Sequence, residues 1–178
     1  FSDPARVEGV TMSENPIPNI QEIKNQTTSG LMKSDGYGGG TANMEFQTLT
    51  GLPFYNLSPS ISVIYTEVVP GMNKFPSISD FYNRKNRTVI HLASPSNYSR
   101  NIIYNDLGFN EFIHYGTKGL KGENIGGNYS DKTTYDQVLK NLKENQSQFF
   151  SVMTMQNHMP WTEVNPIYMS ASYPGFTE

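Results

Sequence analysis

Thr88-Val89-Ile90-His91-Leu92-Ala93 is a β-branched apolar run of strand length, and Gln148-Phe149-Phe150-Ser151-Val152-Met153-Thr154-Met155 is a second. Neither alternates polar with apolar residues, which is the pattern of strands covered on both faces. Between them, the segment from about Tyr98 to Leu107, stopped by Gly108, reads as a helix. So does a segment capped by Asp131 and running to about Glu144, with Tyr135, Val138, Leu139 and Leu142 on one face. Helices alternating with short buried strands predict an α/β fold with a mainly parallel sheet flanked by helices, the two runs being neighbouring or near-neighbouring strands. Ligands in such sheets gather beyond the carboxyl ends of the strands.

Upstream, Asp35-Gly36-Tyr37-Gly38-Gly39-Gly40 is too rich in glycine for regular structure. It leads into Thr41-Ala42-Asn43-Met44-Glu45-Phe46-Gln47-Thr48-Leu49-Thr50-Gly51, which reads as a helix with Thr41 near its N-cap, Glu45 in the first turn and Gly51 as its stop. A short helix is expected from Ile17 or Pro18 to about Lys24, a short strand over Thr27–Ser34, and a helix around Ser77 to Asn86. Phe1–Pro16 reads as an extended lead-in, and Gly116–Asn128, with five glycines, as a loop.

The 178 residues suffice for one domain with a real core, and twenty-one Phe and Tyr side chains are too many for a disordered chain. A net charge of -3 with scattered Lys and Arg argues against nucleic acid as a partner. The absence of cysteine excludes disulfides, thiolate catalysis and Cys-held metals. The chain opens on Phe1 rather than Met, which predicts a piece of a longer polypeptide.

Gly38-Gly39-Gly40 before Thr41 makes an anion site at a helix start, because small residues let backbone N–H groups approach an oxyanion that the helix dipole favours. The competing reading is a flexible turn with Thr41 as an ordinary cap. A P-loop is excluded, since no Lys precedes Thr41. His91 ends one apolar run and His158 follows the other, both at the edge where a parallel sheet places its site, while His114 follows the short apolar run Phe109 to Ile113. Arg100, nine residues beyond His91, can lean over the same edge as a phosphate-binding fork. No local motif completes a metal site.

Taken together, Phe1-Ser2-Asp3-Pro4, Asn15-Pro16-Ile17-Pro18-Asn19-Ile20, Gly38-Gly39-Gly40-Thr41-Ala42-Asn43-Met44-Glu45-Phe46 with Leu49-Thr50-Gly51, Tyr98-Ser99-Arg100 with Leu107-Gly108-Phe109, and Asn157-His158-Met159-Pro160 resemble lipoteichoic acid synthase-like phosphoglycerol transferases. These form part of the sulfatase branch of the alkaline phosphatase superfamily. The resemblance implies that Thr41 is the catalytic nucleophile and a ligand of Mn2+ or Mg2+, and that it attacks the phosphorus of a phosphatidylglycerol head group. It further implies that Gly40, His91, Tyr98, Arg100 and His158 line the substrate pocket, His91 and His158 meeting phosphate or acceptor oxygens and Arg100 the anionic head group. Tyr98 stands where relatives often carry Trp, and Ser99 where Asn is common.

By the same resemblance, a metal-binding Glu lies upstream of Ser2-Asp3-Pro4 and an Asp-His pair lies downstream of the Asn157-His158-Met159-Pro160 element, so the catalytic domain is expected to be truncated at both ends. The piece itself is then expected to be inactive and metal-poor, and its parent membrane-anchored with this domain outside the cell. The implied partners are phosphatidylglycerol and a polyglycerol phosphate or glycolipid acceptor. An exposed sheet edge would let the piece pair with a second copy. Phosphoethanolamine transfer, another superfamily hydrolysis, and noncatalytic binding of cell-wall glycan or teichoic acid are the alternatives. Sulfate-ester cleavage would need Cys or Ser where Thr41 stands.

Overall fold

A computed structural model describes residues 6, 8–36, 39–72, 75–160 and 171–172. Phe1-Ser2-Asp3-Pro4 and Gly38 lie outside the described residues. The chain divides into two compact units, Phe1–Lys33 with Thr162–Glu178, and Ser34–Trp161. In chain order the elements are β1 (Thr11–Met12), α1 (Pro18–Gln26), α2 (Thr41–Thr50), α3 (Ile64–Glu67), β2 (Arg87–His91), α4 (Arg100–Asp106), β3 (Glu111–His114), β4 (Asn124–Ile125), β5 (Asn128–Tyr129), α5 (Asp131–Asn141), β6 (Phe149–Met153) and β7 (Ala171–Ser172). No helix among the described residues is long and apolar enough to cross a membrane.

In the smaller unit β1 pairs antiparallel with β7, and α1 starts on Pro18, whose fixed φ suits a first turn. The larger unit is built on a three-stranded parallel sheet in the order β3-β2-β6. The two runs that predict the sheet are thus direct neighbours, with His91 opposite Met153 in the register. The Phe109–Ile113 run supplies a third strand, β3. Side chains alternate across the sheet with period two. Val89, Phe112, Phe149 and Met153 face the cluster built from α2, α3 and α4, whereas Ile90, Ile113, Phe150 and Val152 face Val138 of α5 with Leu120 and Tyr129. Both faces are covered, which is why neither run alternates in polarity.

On the larger face, Phe46 meets Tyr65 and Phe75 edge-on, and Tyr104 meets Tyr65, Phe109 and Phe112 in the same way, the favoured geometry for ring quadrupoles. Gly51 terminates α2 at φ 70°, and its N–H donates to the Gln47 carbonyl at 2.8 Å. A Cβ at Gly51 would meet nothing within 4 Å, so the cost of Gly51→Ala is that of left-handed backbone alone. About 1 kcal/mol of stability should be lost in urea melts of this variant, with no loss of helix content.

Several expected elements differ. Thr27–Ser34 forms no strand, and Leu31 and Met32 are exposed. In place of a helix over 77–86 there are two single 3-10 turns, Ile78–Phe81 and Arg84–Asn86. The Ser77 and Asn83 side chains each accept a backbone N–H and start a turn of their own, and extended Tyr82 separates the two. Ser130, not Asp131, caps α5 by accepting the Thr133 N–H. The helix ends at Asn141 and buries Thr133, Thr134 and Gln137, while Tyr135, Leu139 and Leu142 are exposed. The glycine-rich loop carries the small hairpin β4–β5.

Candidate functional site

The carboxyl ends of β2 and β6 and the start of α2 enclose a cleft of about 130 Å³ lined by Gly39, Gly40, Thr41, His91, Asn97, Tyr98, Arg100, Met153, Thr154, Met155 and His158. All six site residues expected from the sequence, spread from Gly40 to His158, therefore line one cavity. Strand alternation explains part of this. His91 follows Val89 by two residues and so shares the face on which α2 packs, and Met153 faces the same way.

Thr41 is not the helix cap. Gly40 occupies that position in left-handed geometry (φ 68°, ψ 25°), and its carbonyl accepts the Asn43 and Met44 N–H groups. Thr41 is the first helical residue, exposed, and its hydroxyl makes no capping hydrogen bond. This removes the ordinary-cap reading and leaves the hydroxyl turned over to the cleft, beside the first N–H groups of a ten-residue helix. Asn43 stitches α2 to α3, its amide donating to the Ser62 carbonyl and its oxygen accepting the Ile64 N–H, both at 2.9 Å.

His91 is 4% exposed, and its Nδ1 lies 3.4 Å from the Met153 carbonyl. A carbonyl only accepts, so Nδ1 carries the proton and Nε2 is left as an acceptor. Burial, and after it the nearby Arg100 guanidinium, lower the imidazole from its ordinary 6.5 to about 4. Neutral His91 therefore suits a hydroxyl donor better than a bare phosphate oxygen. Exposed His158 places its Nδ1 2.6 Å from the Met159 carbonyl, which fixes the same tautomer.

The depressed His91 value is also a stability statement. Between about 4 and 6.5 the unfolded chain binds this proton and the folded chain does not, so stability rises with pH through that window. The contribution is complete above pH 6.5 and is lost as pH falls to about 4, amounting to roughly 3 kcal/mol at most. Urea melts should show stability falling from pH 7 to pH 4.5, and His91→Gln should flatten that slope.

Arg100 lines the cleft but is 2% exposed and already engaged. Its Nε donates to Glu45 Oε2 at 3.3 Å, its Nη2 donates to Glu45 Oε1, and its Nη1 donates to the Asn97 carbonyl at 3.4 Å. Tyr104 Oη donates to Glu45 Oε2 at 2.8 Å. The expected helix from Tyr98 begins only at Arg100, because Tyr98 and Ser99 are both left-handed at φ 56°. Each such non-glycine residue costs on the order of 1 kcal/mol, strain that the surrounding structure has to hold. The bend lays the Tyr98 ring over the guanidinium, 4.9 Å from centroid to Cζ.

Glu45 is the residue that reading along the chain misplaces. It is 8% exposed, not a first-turn charge in solvent, and Ala42, Glu45, Phe46 and Leu49 together form the buried stripe of α2. A carboxylate on an apolar stripe at i, i+3, i+4 and i+7 demands a buried cation, and that rule is the signal that could have found the pair.

For a hard divalent cation the lining of the cleft offers the Thr41, Thr154 and Tyr98 hydroxyls, the Asn97 amide and two imidazoles but no carboxylate, and among the described residues no group of three or more His, Asp or Glu side chains gathers. Six or more oxygen ligands are the rule for such ions, so these residues by themselves do not fit one.

The comparisons agree with this architecture. The solved structure of the Streptococcus pyogenes phosphoglycerol transferase GacH in complex with sn-glycerol-1-phosphate is 52% identical, with a TM-score of 0.91, over 100% of this chain and 47% of that one. The lipoteichoic acid synthase LtaP from Listeria monocytogenes shares the fold at 22% identity and a TM-score of 0.68, over 89% of this chain and 39% of its own. A Rhizobium meliloti protein assigned to cyclic beta-1,2-glucan modification is 28% identical over 165 residues, 90% of this chain and 24% of that protein. The chain thus spans less than half the length of each of these relatives. The sulfatase family matches residues 1–177. With that match running nearly end to end over a parallel sheet whose carboxyl edge holds Thr41 at a helix start, the chain belongs to the sulfatase family.

Proposed function

We propose that this chain is part of a phosphoglycerol transferase acting at the outer face of the cell membrane. The observation that carries the reading is the uncapped Thr41 hydroxyl at the start of α2, in a cleft with His91, Tyr98, Arg100 and His158. It is supported by 52% identity along the whole chain to a phosphoglycerol transferase solved with sn-glycerol-1-phosphate.

Thr41 Oγ1 would attack the phosphorus of phosphatidylglycerol, forming a Thr41 O–P bond and breaking the P–O bond to diacylglycerol, which leaves with the proton. An acceptor hydroxyl would then attack the same phosphorus. The Thr41 O–P bond breaks, the proton returns to Thr41, and glycerol phosphate passes to a polyglycerol phosphate or glycolipid acceptor. The first amides of α2 with Gly39 and Gly40 would meet the charge developing on the nonbridging oxygens. Neutral His91, with Nε2 as acceptor, would receive the acceptor hydroxyl's hydrogen bond. Mn2+ or Mg2+, where further ligands from a longer form of the protein join Thr41, would lower the hydroxyl pKa and screen phosphate charge. The 178 residues alone are expected to be inactive.

The test supplies the full-length protein with phosphatidylglycerol labelled in its head-group glycerol. Diacylglycerol release, together with one glycerophosphoryl group on the Thr41 peptide by mass spectrometry, supports the proposal. Transfer from phosphatidylethanolamine alone would replace it with phosphoethanolamine transfer, and binding of surface polymer without turnover of either lipid would replace it with the noncatalytic reading.

A further inference from the structure

We propose that Glu45 is a positioning residue for the transfer site: through its carboxylate clamp on Arg100 it holds the guanidinium at a fixed place relative to Thr41. The proposal rests on the reading of the cleft as a phosphoglycerol site. Thr41 and Glu45 are four residues apart on α2 and so lie near one helix face, about one turn or roughly 6 Å apart along its axis. Arg100 starts α4 and lines the same cleft, and among the described residues no backbone hydrogen bond joins α4 to α2. The two helices share the core through Phe46, Tyr65 and Tyr104, and the side-chain clamp is what ties the guanidinium itself to α2.

The clamp leaves little freedom. Glu45 takes the Nε and Nη2 edge of the guanidinium, the planar fork arrangement that fixes orientation as well as distance. Tyr104 Oη, 1% exposed as a residue, holds Glu45 Oε2 from the other side, so the carboxylate is itself constrained. The Asn97 carbonyl and the Tyr98 ring take two further sides of the guanidinium. Of its five N–H donors, those on Nε and Nη2 that face Glu45 and the one on Nη1 that faces Asn97 are spoken for, and the Tyr104 hydroxyl lies within reach of the guanidinium as well. Any donor left for a phosphate oxygen can point only where the clamp aims it.

A free Arg on a surface would make up for a misplaced anion by changing rotamer, but a clamped one cannot. The gain is pre-organisation, in which the cation is ordered before the head group arrives and loses no side-chain entropy on binding. The same clamp offsets the charge of Arg100, so binding at this corner depends on directed N–H donors more than on net attraction.

Four variants of the full-length protein test this: Glu45→Gln, Glu45→Asp, the milder Tyr104→Phe, which removes the second hold on the carboxylate, and Leu49→Ala, a core cut on the same helix at a residue that does not line the cleft. Two quantities are measured on each, the affinity for sn-glycerol-1-phosphate and the modification of Arg100 by phenylglyoxal, located by peptide mass spectrometry. Melting temperatures place the four on a common scale of stability. Glu45→Gln is expected to weaken binding at least tenfold and Tyr104→Phe about threefold, and both should make Arg100 more reactive. Leu49→Ala should leave both within twofold at an equal or larger fall in melting temperature. Glu45→Asp, which keeps the charge on a shorter arm, should recover part of the affinity. If Glu45→Gln and Leu49→Ala shift both quantities alike, Glu45 is merely structural and the proposal is overturned. If the wild-type protein fails to bind sn-glycerol-1-phosphate while Glu45→Gln still unmasks Arg100, the transferase reading falls, and with it the role of the clamp in that site.

Discussion

Thr41→Ala in the full-length protein should abolish glycerol phosphate transfer, by a factor of at least about 10³, while leaving the fold nearly unchanged. A covalent route disappears with its nucleophile, since no neighbouring group of the cleft is an equivalent hydroxyl at the helix start. Stability has little reason to follow. The Thr41 side chain is exposed and caps nothing, because Gly40 holds the cap position, so even the roughly 1 kcal/mol expected for a capping Thr does not apply. Alanine is moreover the better helix former by a few tenths of a kcal/mol. Turnover of labelled phosphatidylglycerol and urea melts on the same preparation check both halves. A loss of stability in proportion to activity would return Thr41 to a structural role. In the 178 residues alone the substitution should change nothing, and metal-dependent turnover by that piece would show that its residues hold the cation after all.

Arg100→Met should cost about 3–5 kcal/mol of stability, the largest effect expected from any single substitution in the cleft, because it leaves the Glu45 carboxylate buried without its cation. Glu45 cannot reach water by turning, as it is 8% exposed on the inner stripe of α2 with Phe46 and Leu49 beside it. Replacing both partners removes the stranded charge, so Arg100→Met with Glu45→Met should regain most of the loss while remaining inactive. Denaturant midpoints of the two single variants and the double variant check this. Additive losses would show that the pair is not one unit.

The parallel sheet was legible because β2 and β6 are covered on both faces, which forces apolar residues at consecutive positions and gives Thr88–Ala93 and Phe149–Met155 their character. Gly51 was legible for a local reason, since only the backbone decides a left-handed stop. The errors arose where several local choices compete. Ser77 and Asn83 each start a turn, so a helix-like stretch breaks in two. Ser130 takes the cap from Asp131, and α5 turns its threonines and Gln137 inward while Tyr135, Leu139 and Leu142 face out, an orientation that packing decides and periodicity misreads.

The site divides along the same line. The residue types, with Thr41 after glycines, His91 at a strand end and Arg100 at a helix start, were set by the sequence, because each is tied to a local element whose end lies at the carboxyl edge of the sheet. Their electrostatic states were decided by the tertiary structure alone. His91 is neutral because burial and Arg100 make it so, and Arg100 is engaged because Glu45, fifty-five positions earlier, is carried to it on the buried face of α2. A charge and its counter-charge need share no local pattern in the chain. What pairs them is the cost of leaving either one buried alone, and that cost exists only once the helices have packed.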